Sequence, residues 1–184
     1  MQVIVYNPEW KEGWNKLVRE SKNGTFLIDR NFLEYHQDRF QDCSLIFLEK
    51  NKILGVLPAN WDEENKTVYS HQGLTYGGLI LRTDIKAVQV IQMLDESIEL
   101  FKNKYHATRM IYKPTPYIYH QYPAEEDLYG IFCHNGKLLT RGLSSTIPLT
   151  HPIKIKESRK SGIRKAISNS LHISKSSEIE PFWN

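Results

Sequence analysis

A chain of 184 residues, 40% apolar and 11% aromatic, has enough greasy surface for one well-filled core, which excludes a disordered segment. It contains no run of about eighteen apolar residues, and its opening MQVIVYNPEW lacks the basic-then-apolar pattern of a secretory leader, so no membrane span and a cytoplasmic location are expected. The formal charge is only +3, yet Lys154, Lys156, Arg159, Lys160, Arg164 and Lys165 face Glu157 alone within twelve residues, a local patch suited to one anionic group rather than to nucleic acid at large.

Val3 and Val5 open the chain as a short strand. Asn7-Pro8 then supplies a cap and a first-turn proline to an amphipathic helix with Trp10, Trp14, Leu17 and Val18 on its inner face. Asn23-Gly24 ends that helix, residues 25–28 are extended, and NFLEYHQDRF (31–40) returns to helical spacing. SLIFLEKNKILGVLPANW and TVYSHQ read as an antiparallel meander of three strands, turning at residues 49–52 and again at DEENK. Cys43 and Cys133 lie too far apart for a metal motif and are read as reduced thiols, so no metal is expected.

The stretch YSHQGLTYGGLILRTDIKAVQVIQMLDESIELFKNKY (69–105) organises the rest: a strand, a glycine turn, a second strand, then one long helix. The spacing predicts a helix that Thr83 or Asp84 caps, with Ile85, Val88, Ile91, Leu94, Ile98, Phe101 and Tyr105 as its apolar stripe. TRMIYK (108–113) follows as a strand. Parallel strands need a crossover of this length, so the two strands flanking the helix are expected parallel in one central mixed sheet of about six or seven strands. The expected interior includes Leu45, Phe47, Leu79, Val88, Ile91, Leu94, Ile98 and Ile111. Gly73, Gly77 and Gly78 admit two readings: turn chemistry, or a backbone that approaches a ligand beside Tyr76.

PTPYIYHQYPAEEDLYGIF then alternates prolines with Tyr117, Tyr119, Tyr122 and Tyr129 before a short helix. Glu125, Glu126 and Asp127 suit that helix's dipole, or one of them is a catalytic carboxylate. His71 and His120 are each either a base for an attacking amine or a hydrogen-bonded structural residue. KLLTRGLSSTIPL (137–149) reads as a long strand, and ESRKSGIRKAISNSLHI as a basic helix with Ile163, Ile167 and Leu171 turned inward.

This order of elements resembles the GNAT acyltransferase fold, an α/β (α+β) architecture with a mostly antiparallel central sheet flanked by helices. The resemblance implies a strand-to-helix loop of the pattern Gln/Arg-x-x-Gly-x-Gly/Ala, whose amides hold the cofactor pyrophosphate, and a strand that splays away to open a cleft. Here the loop is LRTDIKAV, without glycine and with Asp84 where a pyrophosphate would lie.

FLIDRNFLEYHQDRFQDCSLIF, YSHQGLTYGGLIL, IYKPTPYIYHQYPAEEDLY and the Ser-Arg-Lys-x-x-Ile-Arg-Lys-Ala helix are further similar to the first lobe of two-lobed, bacterial FemABX-type proteins. That likeness implies a GNAT-like lobe over residues 1–176, with residues 177–184 beginning the linker to a second lobe. It also implies an N-acyltransferase or aminoacyltransferase in which this half binds acceptor, while acyl-CoA or aminoacyl-tRNA serves the whole protein and no cofactor binds here. His71, His120 and Glu125 are the candidate catalytic residues. Arg159, Lys160, Arg164 and Lys165, with Tyr76, Gly77 and Gly78, are the candidates for a phosphate-bearing acceptor. A non-catalytic ligand-binding or regulatory module is the competing expectation, and a nucleic-acid binder a third.

Overall fold

The computed structural model describes residues 1–150, 153–177 and 180. It divides into two compact units, Met1–Leu138 and Leu139–Asn184.

In the first unit, β1 (Gln2–Val5) leads through a 3-10 turn, Pro8–Trp10, into α1 (Lys11–Glu20). The Asn7 side chain accepts the Glu9 amide at 3.0 Å, the cap that the Asn-Pro pair foretells. The second helical segment is shorter than its spacing suggests: α2 covers only Arg30–Leu33, followed by a 3-10 turn at Glu34–His36. Then come β2 (Gln41–Asp42), β3 (Leu45–Glu49), β4 (Lys52–Leu57), β5 (Asn60–Asp62), β6 (Thr67–Tyr69), β7 (Ile80–Leu81), α3 (Ala87–Tyr105), β8 (Arg109–Ile111) and α4 (Glu126–Cys133).

β3 and β4 form a tight hairpin because Lys50 (φ 47°) and Asn51 (φ 61°) both take the left-handed conformation that a two-residue hairpin turn requires. The meander does not stay in one sheet. Pro58 follows β4, and the Ser44 hydroxyl accepts the Ala59 amide at 3.0 Å, so both arms kink together and β2 and β5 peel away. One sheet has the order β1-β3-β4-β7 and the other β2-β5-β6-β8. The expectation of one central sheet is therefore corrected. The strands flanking α3 lie in separate sheets, and β8 runs parallel to β6, not to β7.

Alternation along β3 sends Leu45 and Phe47 to one face and Ile46 and Leu48 to the other. The first pair packs with Val90, Met93, Leu94 and Phe101 of α3, the second with Trp14, Leu17 and Val18 of α1. The α3 stripe is rotated from the predicted one: Val88 is 77% exposed and Ile98 39%, while Ile91 and Ile111 are half-buried. The reason is local. Thr83 and Asp84 do not cap the helix, because Asp84 is held by Arg82 and the helix starts only at Ala87, where the Gln89 side chain accepts the Lys86 amide at 3.1 Å. Ile85 is buried in the preceding turn, so counting the stripe from it shifts the phase.

The second unit contains α5 (Glu157–Ser168). The expected strand over 137–149 is absent: these residues have no regular structure, and Leu138, Leu139, Leu143 and Leu149 are exposed. A strand exists only by pairing, and no described ladder includes them. Ile163, Ile167 and Leu171, expected inward, are exposed as well. The last aromatic pair, Phe182 and Trp183, lies outside the described residues.

Candidate functional site

Because β7 and β8 belong to different sheets, the backbone between them needs partners other than a strand ladder. The Lys22 amide donates to the Leu81 carbonyl and the Gly77 amide to the Lys113 carbonyl, both at 2.8 Å, and side chains supply the rest. Asn23, just past α1, donates from Nδ2 to the Leu79 carbonyl (2.8 Å) and accepts the Leu81 amide (3.0 Å), standing in for a neighbouring strand. Tyr112, one residue beyond β8, accepts the Leu79 amide on its hydroxyl at 2.6 Å and donates to Asp127 Oδ2 at 2.6 Å. Asp127 Oδ1 also accepts the Leu128 amide at 2.8 Å. Burial pushes the Asp127 carboxyl up, against the pull of its two hydrogen bonds, and burial beside that carboxylate holds the Tyr112 phenol well above its usual range. Tyr112 is thus a fixed donor.

Lys22 closes the other end. Its Nζ donates to the Ile85 carbonyl (2.9 Å) and to Glu126 Oε1 (2.6 Å), and its own carbonyl accepts the Gln121 amide at 2.7 Å. The chain from 113 to 126 is thereby tied across the opening between β7 and β8. Lys113 adds a bond from Nζ to the Leu74 carbonyl, and burial lowers its ammonium pKa.

The glycine turn packs against this network. A Cβ on Gly77 would stand 2.1 Å from the Ser70 carbonyl oxygen. Gly78 has φ +79°, and a Cβ there would stand 2.7 Å from the Tyr112 hydroxyl. Tyr76 donates to Thr25 Oγ1 at 3.1 Å and stacks on Tyr119 with centroids 5.3 Å apart. The close approach that these glycines permit is to the protein's own chain.

The three catalytic candidates occupy different surroundings. His71 is buried in a left-handed turn (φ 68°), edge-on to Phe40, with its carbonyl accepting the Leu74 amide. Glu125 is exposed at the start of α4, and its carbonyl accepts the Leu128 amide at 3.1 Å. His120 donates from Nε2 to the Thr115 carbonyl at 3.0 Å, and its Nδ1 is buried with no hydrogen-bond partner among the described residues. Its charged form would act on Asp127, so His120 belongs to the seam.

On α5, Lys160 Nζ pairs with Glu157 Oε1 at 2.7 Å and Arg164 reaches Glu157 Oε2 at 3.8 Å, while Arg159 and Lys165 are exposed. The one carboxylate of the patch thus sits between its two central cations. In LRTDIKAV, Arg82 grips Asp84 through Nε at 2.5 Å and Nη2 at 3.0 Å, and this pairing lowers the Asp84 pKa. The charge expected to repel a pyrophosphate is neutralised locally.

Sequence reasoning misses Lys22 and Tyr112, and it names Asp127 only as one of three acidic residues. Tyr112 carries a signal, since it shares the alternation of Met110 along the strand. Lys22 and Asn23 carry none, because polar residues before a glycine look like any helix exit. Among the described residues no group of three or more His, Cys, Asp or Glu could hold a metal ion, and no helix is long and apolar enough to cross a membrane.

No family model matches the chain, and no curated protein matches it. Among solved structures it is similar to wild-type TTHA1254 from Thermus thermophilus, at 15% identity and TM-score 0.48 over 80% of this chain and 97% of that one. It is similar to aminoglycoside antibiotic 6'-N-acetyltransferase AAC(6')-IG from Acinetobacter haemolyticus at 14% identity and TM-score 0.43, over 84% and 100% of the two chains. A third, aminoglycoside N-acetyltransferase AAC(6')-Iy solved in complex with CoA, gives 13% identity and TM-score 0.48 over 79% and 93%. With identities this low and every TM-score below 0.5, these likenesses assign no chemistry to the seam.

Proposed function

We propose that this chain is a GNAT-like lobe of a FemABX-like N-acyltransferase that contributes the acceptor site and not the acyl-CoA site. The observation that carries the proposal is the closed seam. A GNAT cleft opens where the strands flanking the central helix part, and here that parting is filled by Tyr112, whose hydroxyl takes the Leu79 amide and binds Asp127. An acyl chain entering there would have to break both bonds and strand a buried amide and a buried carboxylate.

In this reading a second lobe brings the acyl ester, from acyl-CoA or aminoacyl-tRNA. The acceptor amine attacks the acyl carbon, the ester oxygen or thiol sulfur leaves, and the amine's proton passes to a base. His120 is the best placed of the three candidates: its Nε2–H is fixed on Thr115, so Nδ1 carries the lone pair. His71 and Glu125 are held in reserve. Tyr76, Gly77 and Gly78 frame the site by positioning Thr25, Thr115 and Tyr112. Within the second unit, Arg159, Lys160, Arg164 and Lys165 would take a phosphate-bearing ligand. A non-catalytic binding module of the same fold is the second reading, favoured by the exposed, solvent-facing placement of Glu125 and the turn role of His71.

Calorimetry with acetyl-CoA tests the proposal. The expected result is binding no tighter than about 1 mM, near 4 kcal/mol, whereas a dissociation constant at or below about 10 μM, some 7 kcal/mol, would place the acyl donor in this lobe and overturn it.

A further inference from the structure

β8 is the last strand of its sheet. It pairs with β6 on one side, through Thr67 with Arg109, Val68 with Met110 and Tyr69 with Ile111, and no described strand lies on its other side. Beside it the second half of α3 leaves a groove of about 370 Å³. Its walls are apolar, from Ile98, Phe101, Ala107 and Met110, and its charged residues are Lys102 and Arg109. Both are exposed, and neither has an ion-pair partner among the described residues.

An edge strand offers a row of backbone donors and acceptors, and a helix lying alongside turns that edge into a slot that reads alternate side chains of an added strand. We infer that the outer edge of β8 and its groove dock an extended, acidic segment of a partner protein, which joins the sheet as a further strand. An apolar side chain of that segment would enter the groove against Met110 and Ile98, and acidic neighbours would meet Lys102 and Arg109.

The charge selects this occupant. A second copy pairing by the same edge would gather two Arg109 and two Lys102 along one seam, with no carboxylate among the groove's lining residues to offset them. An acidic strand turns the same two cations into charge-assisted contacts. The inference does not depend on the acyltransferase reading, because β8's outer edge and the Tyr112 seam involve different residues.

Fluorescence anisotropy of the full chain with labelled peptides of alternating glutamate and valine tests it. The glutamate–valine peptide is expected to bind. The same peptide N-methylated on alternate amides, which cannot complete an edge ladder, should bind about tenfold more weakly, and so should Lys102→Glu, Arg109→Glu protein. That double variant alters two exposed side chains, its fold can be checked by circular dichroism, and it should instead bind a peptide of alternating lysine and valine. No binding of the first peptide, equal binding of its N-methylated form, or no response to charge reversal would each overturn the inference. Self-association that charge reversal abolishes would do the same, by assigning the edge to a second copy.

Discussion

In the Met1–Leu138 unit, Trp14, Leu45, Phe47 and Ile80 are completely buried. In the Leu139–Asn184 unit, Leu143, Leu149 and Ile173 stand 101%, 92% and 104% exposed. Both stretches are rich in leucine and isoleucine with good local patterns. What differs is opposing surface. β3 has a neighbour on each edge and a helix against each face, so every residue from Leu45 to Leu48 is buried. Residues 139–150 join no ladder among the described residues, and α5 presents Ile163 and Ile167 to solvent. Apolar content allows burial. Only a facing element achieves it.

The largest test of this contrast is a pair of truncations followed by urea denaturation. Phe47→Ala should cost about 3–5 kcal/mol, since it empties a site packed on all sides. Ile167→Ala should cost less than about 0.5 kcal/mol, as an exposed substitution does. A cost for Ile167→Ala comparable with that for Phe47→Ala would mean that the helix face is covered in solution, and the contrast would fail.

A smaller effect separates the apolar core from the polar seam within the first unit. Tyr112→Phe leaves the Leu79 amide and the Asp127 carboxylate without the hydroxyl that joins them, at about 1–3 kcal/mol. The seam also has a pH signature that the core lacks. Asp127 has its pKa raised from 3.8, so it binds a proton more tightly folded than unfolded. Its contribution to stability is full below that unfolded value and is lost as pH rises through the folded one. Relative to Asp127→Asn, the unsubstituted chain should therefore lose stability as pH is raised from below 3.8 towards neutrality. Denaturation of both proteins across that range checks the sign, and a rise would contradict the burial argument.

The smallest expected stability effect is on α5. Lys160→Ala with Arg164→Ala removes screened surface pairs to Glu157 and should move stability by no more than about 0.5 kcal/mol. The same double variant should weaken a phosphate-bearing ligand by about 1–3 kcal/mol per lost bond, read by titration calorimetry. Unchanged affinity would reduce the patch to a solvated helix face.

The legible features follow from forces that act over a few residues. The Asn7-Pro8 start, the hairpin at Lys50-Asn51, the existence of the long helix and the burial of Leu45, Phe47, Leu79 and Leu94 all follow from caps, turn residues and periodicity. The phase of that helix cannot be read by anchoring it on Ile85, whose burial belongs to the turn before it. His120 is a candidate from its aromatic loop, but the bond that fixes its ring, from Nε2 to the Thr115 carbonyl, is spatial.

The sequence by itself determined the α/β character, the element order through β8 apart from β2 and the break between β4 and β5, and the burial of Leu45, Phe47, Leu79 and Leu94, because periodicity and turn chemistry are written locally. Only the tertiary structure decided that the sheet divides between β7 and β8, that residues 137–149 find no ladder, and that Lys22 meets Glu126 and Leu79 meets Tyr112. Those last partners are separated by 104 and 33 positions in the chain. Which edge a strand pairs with and which buried group a side chain satisfies depend on where distant segments come to rest, and no local pattern encodes that choice.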